Sequence, residues 1–406
     1  MIIRADQEIK SHRRHLDAFL VVVHSLGVSL RVYKTSDKWE WLSLLGEEKK
    51  ILLRKLPDHF EKILLPAKVN KTRFCFCQPC EEFNIAPNPS CPIPVVDFNA
   101  MSLDIKDPDQ SSQAVKDLPK QVYQAFSTIG FVYITNHGIP QETIDTTFGT
   151  YDKFFNLNID VKRKYTKKTG TTKNGCDELE RESTNPDRPG DLKESFDVGA
   201  VYDENFNWPN TDVPNFQANV MSIYKCLSDL ALRVLSVMAV GLGLNPDAFA
   251  YAYEKRGTLL GGTQLRYNFY PMITDITKVK PGQIRCGKHT DYGGITLLIQ
   301  DEVGGLEVRI IKFEGQFVPA RPMKGTVLVN VADLMERWTT DKLKSTVHRV
   351  LIPEDEIRRR VPRRSLVFFV DPDHEALITC LDGSNKYPPI TSKDWISKKL
   401  EETYKY

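Results

Sequence analysis

The sequence predicts an α+β protein with a mainly β core, helices around it and an N-terminal extension. Beyond residue 257, six short runs rich in β-branched and aromatic residues follow one another, each bounded by Gly, Pro or Asp. Many short strands at this spacing are typical of an antiparallel sandwich or barrel. Before them, residues 224–242 carry apolar side chains at helical spacing and end at glycines, which predicts one long helix.

Length, charge and cysteine content narrow the class of protein. The 406 residues are 41% hydrophobic and 27% charged, which favours a soluble globular chain of about two or three domains. The formal net charge is +2, without the basic excess of a dedicated nucleic-acid binder. The longest early apolar run, residues 18–32, is interrupted by polar residues and falls short of the roughly 20 residues that span a bilayer. The eight cysteines form no regular framework, which favours reduced thiols and a cytoplasmic location. We expect neither nucleic acid nor a membrane as partner, and the oligomeric state stays open.

Residues 1–90 differ from the rest of the chain and are expected to form a helical extension of unknown role. Their patches KSHRRH and EEKKILLRK suit solvated helix faces, and four prolines in residues 84–94 predict a linker. Cys75, Cys77 and Cys80 lie close enough in sequence for a zinc knuckle, but no clear second pair follows, so bystander thiols are favoured. The extension is either an interaction module or a cap on the core.

Residues 91–223 are expected to form an α/β region that precedes a catalytic core over residues 224–385 and a tail over 386–406. The runs PVVDF and GFVYITNHGI predict strands, and residues 113–129 and 140–165 predict helices. Residues 166–192 are polar and lack an apolar period, so they predict a long loop that could close over a substrate.

Three residues of the β-rich half could hold a metal ion. His289 and Asp291 are two residues apart, so on an extended backbone they project to the same face, and His348 lies on a later strand. Two His and one carboxylate leave three open positions on an octahedron, the arrangement typical of non-haem Fe(II) oxygenases. Such a triplet also arises by chance, and an ordinary strand-end hydrogen bond is the alternative.

The run RRSLVFFVDPD contains a candidate carboxylate-binding pair. Arg363 and Ser365 share a strand face, where a guanidinium and a hydroxyl can together hold a carboxylate, whereas Arg364 projects to the other face. A surface basic run is the alternative, because more arginines lie just upstream. In LRYNFYP, Asn268 and Tyr270 are also two apart and either reach into the mouth of a barrel or pack in its core.

Taken together and in this order, the motifs resemble the isopenicillin N synthase-like family of Fe(II)- and 2-oxoglutarate-dependent dioxygenases, from about residue 93 to residue 383. Eight stretches in one order are far more specific than any one of them. They are IPVVDF, GFVYITNHGI, LKESFDVG, LRYNFYP, HTDYGGITLLIQD, GGLEV, DLMERWTTDKLKSTVHRV and RRSLVFFVDPD.

The resemblance implies a distorted double-stranded β-helix, or jelly roll, that uses Fe(II), 2-oxoglutarate and O2, with ascorbate as a candidate reductant. It implies that the iron ligands are His289, Asp291 and His348. It also implies that an R-x-S pair binds the far carboxylate of 2-oxoglutarate and that an N-x-Y element lines its pocket, here Arg363, Ser365, Asn268 and Tyr270. His137 belongs to a structural turn in the same pattern. Two departures are Ala332, where the family often has Gly, and Lys288 before the first ligand.

The implied reaction hydroxylates, desaturates or otherwise oxidises a small organic substrate and releases succinate and CO2. Some proteins of this fold use the same triad without 2-oxoglutarate, so an iron oxidase is an alternative. From other classes, a zinc hydrolase would need a general base that the sequence does not offer. A non-catalytic binding protein is disfavoured because all three ligand positions are intact. The sequence does not indicate which substrate is oxidised.

Overall fold

The computed structural model describes residues 92–167, 174–183, 188–310 and 315–403, and the strands β1 (Val32–Thr35) and β2 (Lys38–Trp41). The chain divides into two compact units, Met1–Phe83 and Asn84–Tyr406. In the first unit, β1 and β2 pair as an antiparallel hairpin. These two strands lie where the sequence predicts a helical extension. The cysteines considered for a zinc knuckle lie outside the described residues, and the role of the extension stays a prediction.

The second unit combines a large and a small β-sheet with helices. Its strands are β3 (Val95–Asp97), β4 (Phe131–Thr135), β5 (Gly175–Asp177), β6 (Glu194–Val198), β7 (Gln264–Tyr270), β8 (Cys286–His289), β9 (Ile295–Gln300), β10 (Leu306–Ile310), β11 (Gln316–Pro319), β12 (Thr326–Val331), β13 (His348–Val350), β14 (Arg363–Val370), β15 (Leu377–Ile378) and β16 (Ile390–Thr391). Its α-helices are α1 (Gln113–Thr128), α2 (Gln141–Phe155), α3 (Ile159–Lys162), α4 (Phe216–Gly241), α5 (Asp333–Trp338), α6 (Glu356–Arg359) and α7 (Ser392–Thr403).

The two sheets face each other across an apolar layer. The large sheet has the order β3-β4-β12-β9-β14-β7-β6-β5, and the small sheet has the order β11-β10-β13-β8. Side chains from both sheets meet between them, among them Phe131 and Tyr270 from the large sheet and Cys286 and Val308 from the small one. The paired strands from β6 to β14 are antiparallel. This is the predicted jelly-roll architecture, in which two antiparallel sheets enclose a core.

Helices pack on the outer face of the large sheet around a second apolar core. Helix α4 runs through this core and buries a continuous stripe of side chains. The sequence predicts its C-terminal part, but the helix begins earlier, at Phe216, because Val220 and Ile223 extend the same buried stripe. The ring of Tyr224 on α4 meets that of Phe368 on β14 edge to face, with centroids 5.1 Å apart. Helix α4 therefore packs directly against the large sheet.

The strands of the β-rich half follow the prediction closely, and the loop predicted for residues 166–192 is wrong in part. Residues 175–177 form β5, which pairs with β6 at the edge of the large sheet. The apolar pattern does not reveal this strand, because Asp177 is buried although it is charged. Lys167 neutralises its carboxylate. A buried carboxylate needs such a partner, so alternation of apolar residues is absent here.

Two smaller findings concern sequence composition. The cysteines within the described residues are free thiols, at positions 176, 226, 286 and 380. In the described parts of the chain, no helix has the length and apolar character needed to cross a membrane.

Replacing Phe368 with Ala tests the packing of α4 on the large sheet. Phe368 is fully buried, so Phe368→Ala removes its apolar contacts and leaves a cavity, and we expect a loss of about 3–5 kcal/mol in the free energy of unfolding. Leu259→Ala is the control, because that side chain is exposed and should change stability by less than about 0.5 kcal/mol. Chemical denaturation measures both. A loss of under about 1 kcal/mol for Phe368→Ala would contradict the assigned packing.

Candidate active site

Strand register brings two histidines together at the mouth of the jelly roll. His289 ends β8 and pairs directly with His348, which begins β13. Asp291 follows two residues after His289, and its Oδ1 atom lies 3.8 Å from Nε2 of His289 and 3.7 Å from Nε2 of His348. Metal–ligand bonds of about 2.1 Å allow two ligands of one ion to lie up to about 4.2 Å apart. Among the described residues, these three form the group of His, Cys and acidic side chains close enough to hold a metal.

Backbone carbonyls orient both imidazoles. Nδ1 of His289 lies 2.8 Å from the Gly287 carbonyl oxygen, and Nδ1 of His348 lies 3.1 Å from that of Thr346. Because a carbonyl oxygen only accepts, each Nδ1 carries the proton and donates. Each Nε2 is then left with a lone pair that faces Asp291, as metal-binding histidines require.

The Asp291 carboxylate is held by two donors from the large sheet. Its Oδ2 atom accepts hydrogen bonds from Thr296 Oγ1 at 2.6 Å and from Asn330 Nδ2 at 2.8 Å. These bonds occupy one carboxylate oxygen and leave Oδ1 toward the imidazoles. The arrangement spans both sheets, since Thr296 and Asn330 lie on β9 and β12 whereas the histidines lie on the small sheet.

The protonation states of this cluster suit a divalent cation. Burial, and then the charge of the neighbouring His289, lower the pKa of His348 to about 4, so its imidazole is neutral at neutral pH. Burial would raise the pKa of Asp291, but the two imidazoles and the two hydrogen bonds outweigh it and keep the pKa below its usual value. The donor set of two imidazole nitrogens and one anionic carboxylate oxygen fits Fe(II) with further positions open.

Arg363 is a buried cation whose described neighbours provide no counter-ion. It is 1% exposed, and it donates hydrogen bonds to the Gly304 carbonyl oxygen at 2.9 Å, to Gln300 Oε1 at 3.1 Å and to Ser365 Oγ at 3.3 Å. These acceptors are all neutral, and in the described chain no carboxylate lies within ion-pair distance of this guanidinium. A buried charge is costly unless it is paired, so the site is suited to an anionic ligand.

The sequence also predicts Tyr270 and Asn268 beside this arginine, and both are there. Across the β7–β14 pair, Tyr270 faces Arg363 and Asn268 faces Ser365. The Arg363 guanidinium carbon lies 4.8 Å from the centre of the Tyr270 ring. Burial raises the pKa of Tyr270, so its phenol stays neutral. The buried Oδ1 of Asn268 has no hydrogen-bond partner in the part of the chain that the structure describes. Arg364, on the other strand face, pairs with Asp152 and Asp301 instead.

One cavity of about 230 Å³ joins the three candidate metal ligands to Arg363. Side chains that the sequence analysis does not identify also line it, and they include Lys193, Gln264, Arg266, Ile396 and Leu400. Alternation along β7 could have found Gln264 and Arg266, because they share the strand face of Asn268 and Tyr270. No sequence signal leads to Ile396 and Leu400, since α7 lies far from the motifs in the chain.

Helix α7 is attached to the loop that carries Asp291. The sequence predicts a tail over residues 386–406, but residues 392–403 are helical and cover one side of the cavity. Trp395 Nε1 donates to the Tyr292 carbonyl oxygen at 2.8 Å, and Lys399 pairs with Asp333 at 2.7 Å. Asp333 in turn accepts a hydrogen bond from Thr290, between the first two metal-ligand candidates. These contacts therefore fix helix α7, which forms one wall of the cavity, to the loop that carries Asp291.

A buried charge network forms the polar wall of the cavity. Arg266 bonds Asp197 through two nitrogens, at 2.6 and 2.7 Å, and reaches Glu182 at 3.1 Å. Lys193 also pairs with Glu182, at 2.8 Å, and Lys167 pairs with Asp197. Arg266 and Lys193 thus present cationic groups whose charges are already balanced by carboxylates behind them.

His137 and the two departures from the family pattern lie outside this chemistry. His137 is buried in a turn, where its Nδ1 accepts a hydrogen bond from the Ile139 N–H at 3.0 Å. Burial lowers the pKa of His137, which favours the neutral ring that such acceptance needs. Lys288 is exposed, and Ala332 is buried with its N–H donating to the Gly294 carbonyl oxygen.

Comparison with known proteins identifies the family. Residues 93–218 match a family model described as the N-terminal domain of non-haem dioxygenases in morphine synthesis, and residues 262–372 match that of the 2OG-Fe(II) oxygenase superfamily. A proline hydroxylase, buaE, of Petromyces alliaceus is 34% identical over 304 residues, which cover 70% of this chain and 93% of the relative. The 2-oxoglutarate-dependent dioxygenase gloF of Glarea lozoyensis is 32% identical over 310 residues, which cover 69% of this chain and 92% of the relative.

A solved structure leads to the same conclusion. A full-length protein of Neurospora crassa, in complex with α-KG (2-oxoglutarate) and thymine, superposes with a TM-score of 0.67 and 31% identity, covering 77% of this chain and 97% of that one. The family, the fold and the use of Fe(II) and 2-oxoglutarate predicted from sequence are thereby confirmed, and the zinc hydrolase and non-catalytic alternatives fall. The chain belongs to the 2OG-Fe(II) oxygenase superfamily and is an isopenicillin N synthase-like, Fe(II)- and 2-oxoglutarate-dependent dioxygenase.

Proposed function

We propose that His289, Asp291 and His348 bind the Fe(II) on which this dioxygenase depends. The support is geometric and electrostatic: three ligand atoms converge, both Nε2 atoms have free lone pairs, and the carboxylate is anionic. When bound there, Fe(II) would supply the activation of O2 and the oxidative decarboxylation of 2-oxoglutarate. The hydrogen bonds from Thr296 and Asn330 keep Asp291 in the orientation that the metal needs.

The second part of the proposal is that Arg363 and Ser365 bind the far carboxylate of 2-oxoglutarate. The observation that carries it is the buried, unpaired charge of Arg363 in the same cavity as the metal ligands. A carboxylate there would remove the cost of that charge, and the Ser365 hydroxyl would add a further donor. Tyr270 and Asn268 line the same end of the pocket, and the buried, unbonded Oδ1 of Asn268 leaves polar capacity for a ligand. Such anchoring orients the opposite, keto-acid end toward the metal ligands.

The substrate we propose is a small polar molecule, bound between the metal ligands and α7. The cavity of about 230 Å³ is smaller than the roughly 300–1,000 Å³ of sites for drug-sized ligands. Its wall combines Arg266, Lys193 and Gln264 with apolar side chains of α7. Small polar molecules also appear among the relatives: one is named a proline hydroxylase, and another was solved with thymine bound. Helix α7 excludes water from that side of the cavity and limits the size of the substrate.

Removal of one imidazole tests the metal site. His348→Ala leaves Asp291 and His289 without the third ligand, so we expect loss of stoichiometric iron and turnover more than about 100-fold below wild type, because even second-layer changes at metal sites cost about 10–100-fold. His137→Asn is the control and should keep its iron. Metal analysis of protein reconstituted under anaerobic conditions measures the first effect, and succinate formation measures the second. Full iron binding by His348→Ala would contradict the proposed ligand set.

The adjacent arginines provide a matched test of the co-substrate site. Arg363→Met removes the unpaired buried charge, and we expect 2-oxoglutarate to bind more than about 30-fold more weakly, since loss of one partner of a buried charge pair costs about 2–5 kcal/mol. Arg364→Met removes a charge that already pairs with Asp152 and Asp301, and it should change 2-oxoglutarate affinity by less than about threefold. Calorimetry with 2-oxoglutarate compares the two variants. Equal effects would argue against the assignment.

Bulk added on α7 tests the substrate pocket. A panel of small polar molecules that includes proline and thymine, read by succinate formation, would first identify a molecule that stimulates turnover. Ile396→Trp should lower that stimulation at least about tenfold by filling the cavity, and it should leave 2-oxoglutarate affinity unchanged. Ser397→Trp places the same bulk on an exposed position of the helix and is the control. Undiminished turnover in Ile396→Trp would show that substrate binds elsewhere.

A further inference from the structure

Arg285 is a fully buried charged residue that precedes β8, outside the clusters described above. It is 0% exposed, and two of its guanidinium nitrogens, Nε and Nη1, have no hydrogen-bond partner among the described residues. Its remaining contact is a long one, from Nη2 to the Val361 carbonyl oxygen at 3.5 Å. Within the described chain no carboxylate lies within ion-pair distance of it. A buried guanidinium with unsatisfied donors costs several kcal/mol, so a protein retains one where an anion or polar ligand compensates it.

Strand register puts Arg285 at the same end of the sheets as Arg363. Arg285 directly precedes β8. The first residue of β8, Cys286, pairs with Val350 of β13, and Val350 also pairs with Leu306 of β10. Gly304, just before β10, accepts the hydrogen bond from Arg363 Nε. Val361, which Arg285 contacts, lies two residues before Arg363. Two independent chain connections therefore bring both guanidinium groups to one region of the interior.

The two arginines repel each other in the absence of an anion. Burial, and next the charge of Arg363, lower the pKa of Arg285 to about 10. Arg285 is still protonated at neutral pH, so its positive charge adds to that of the Arg363 guanidinium at this end of the interior. Asp301 also acts on Arg285, but its carboxylate is already engaged by the backbone N–H and the side chain of Arg364. The arrangement is electrostatically incomplete until a negative charge enters.

We propose that Arg285 is a second cationic residue of the co-substrate site and that its charge strengthens binding of the distal carboxylate of 2-oxoglutarate. Arg285 does not line the cavity. It acts as a positioning residue through its electrostatic field on the carboxylate that Arg363 binds. One carboxylate placed at Arg363 is then attracted by two buried guanidinium groups in a region of low dielectric constant. The inference rests on the proposed role of Arg363 and adds a residue that the R-x-S motif does not contain.

The test compares two 2-oxoacids of the same chain length on wild-type enzyme, Arg285→Met and Arg285→Lys. 2-Oxopentanoate has a methyl group where 2-oxoglutarate has its distal carboxylate. We expect Arg285→Met to bind 2-oxoglutarate at least about tenfold more weakly and to bind 2-oxopentanoate as the wild type does, because only the first ligand carries the distal charge. Arg285→Lys keeps the charge and should retain most of the affinity for 2-oxoglutarate.

A second readout separates this role from a merely structural one. Without ligand, Arg285→Met should melt at the same temperature as wild type or higher, because an uncompensated buried charge has been replaced by an apolar chain of similar volume. Its stabilisation by 2-oxoglutarate should be smaller than that of wild type. A lower melting temperature together with equal weakening of both 2-oxoacids would show a structural role and overturn the proposal.

Two further outcomes would also overturn the proposal. The first is that Arg285→Met binds 2-oxoglutarate as tightly as wild type does. If Arg363→Met still loses that affinity, the proposed co-substrate site stands and only the role of Arg285 is wrong. If neither variant changes the affinity, the proposed co-substrate site itself is wrong. The second is that chloride stabilises the wild-type enzyme but not Arg285→Met, while both bind 2-oxoglutarate equally well. Arg285 would then bind an inorganic anion.

Discussion

The structure depends on charges of opposite sign, buried at separate places along one cavity and left for a ligand to neutralise. At one place the Asp291 carboxylate is surrounded by imidazoles, of which His348 is neutral. At the other the Arg363 guanidinium has only neutral acceptors among the described residues. Unpaired charges in an interior are unfavourable, so each place favours a partner of opposite charge. A divalent metal ion and a dicarboxylate that reaches from it to the arginine satisfy both.

The two sheets of the jelly roll make this separation of charge possible. The pairing of β8 with β13 sets one histidine opposite the other, and the pairing of β7 with β14 sets Tyr270 and Asn268 opposite Arg363 and Ser365. Hydrogen bonds from β9 and β12 to Asp291 then connect the proposed metal site to the large sheet. Because each site is built on paired strands, the distance between them is fixed by the fold. Helix α7 closes the remaining side through its contacts with Tyr292 and Asp333.

At the site, the residues that the sequence predicts are those that follow from the two-residue period of a strand. The alternation separates Arg363 from Arg364, and in the structure the first faces the cavity whereas the second pairs with Asp152 and Asp301. The same rule pairs His289 with Asp291. It could not reveal β5, whose buried Asp177 breaks the apolar pattern, nor the covering of the cavity by α7, which depends on contacts distant in the chain. The sequence also does not distinguish Arg285, because a single arginine before a strand resembles any exposed basic residue until its burial is known.

The most direct test of the account is a crystal structure of the protein with Fe(II) and 2-oxoglutarate, grown without oxygen and measured at the iron absorption edge. The account predicts one anomalous peak at about 2.0–2.2 Å from Nε2 of both His289 and His348 and from Oδ1 of Asp291. It also predicts the distal carboxylate of 2-oxoglutarate within hydrogen-bond distance of Arg363 and Ser365. Iron bound elsewhere, or a co-substrate whose distal carboxylate points away from Arg363, would contradict it.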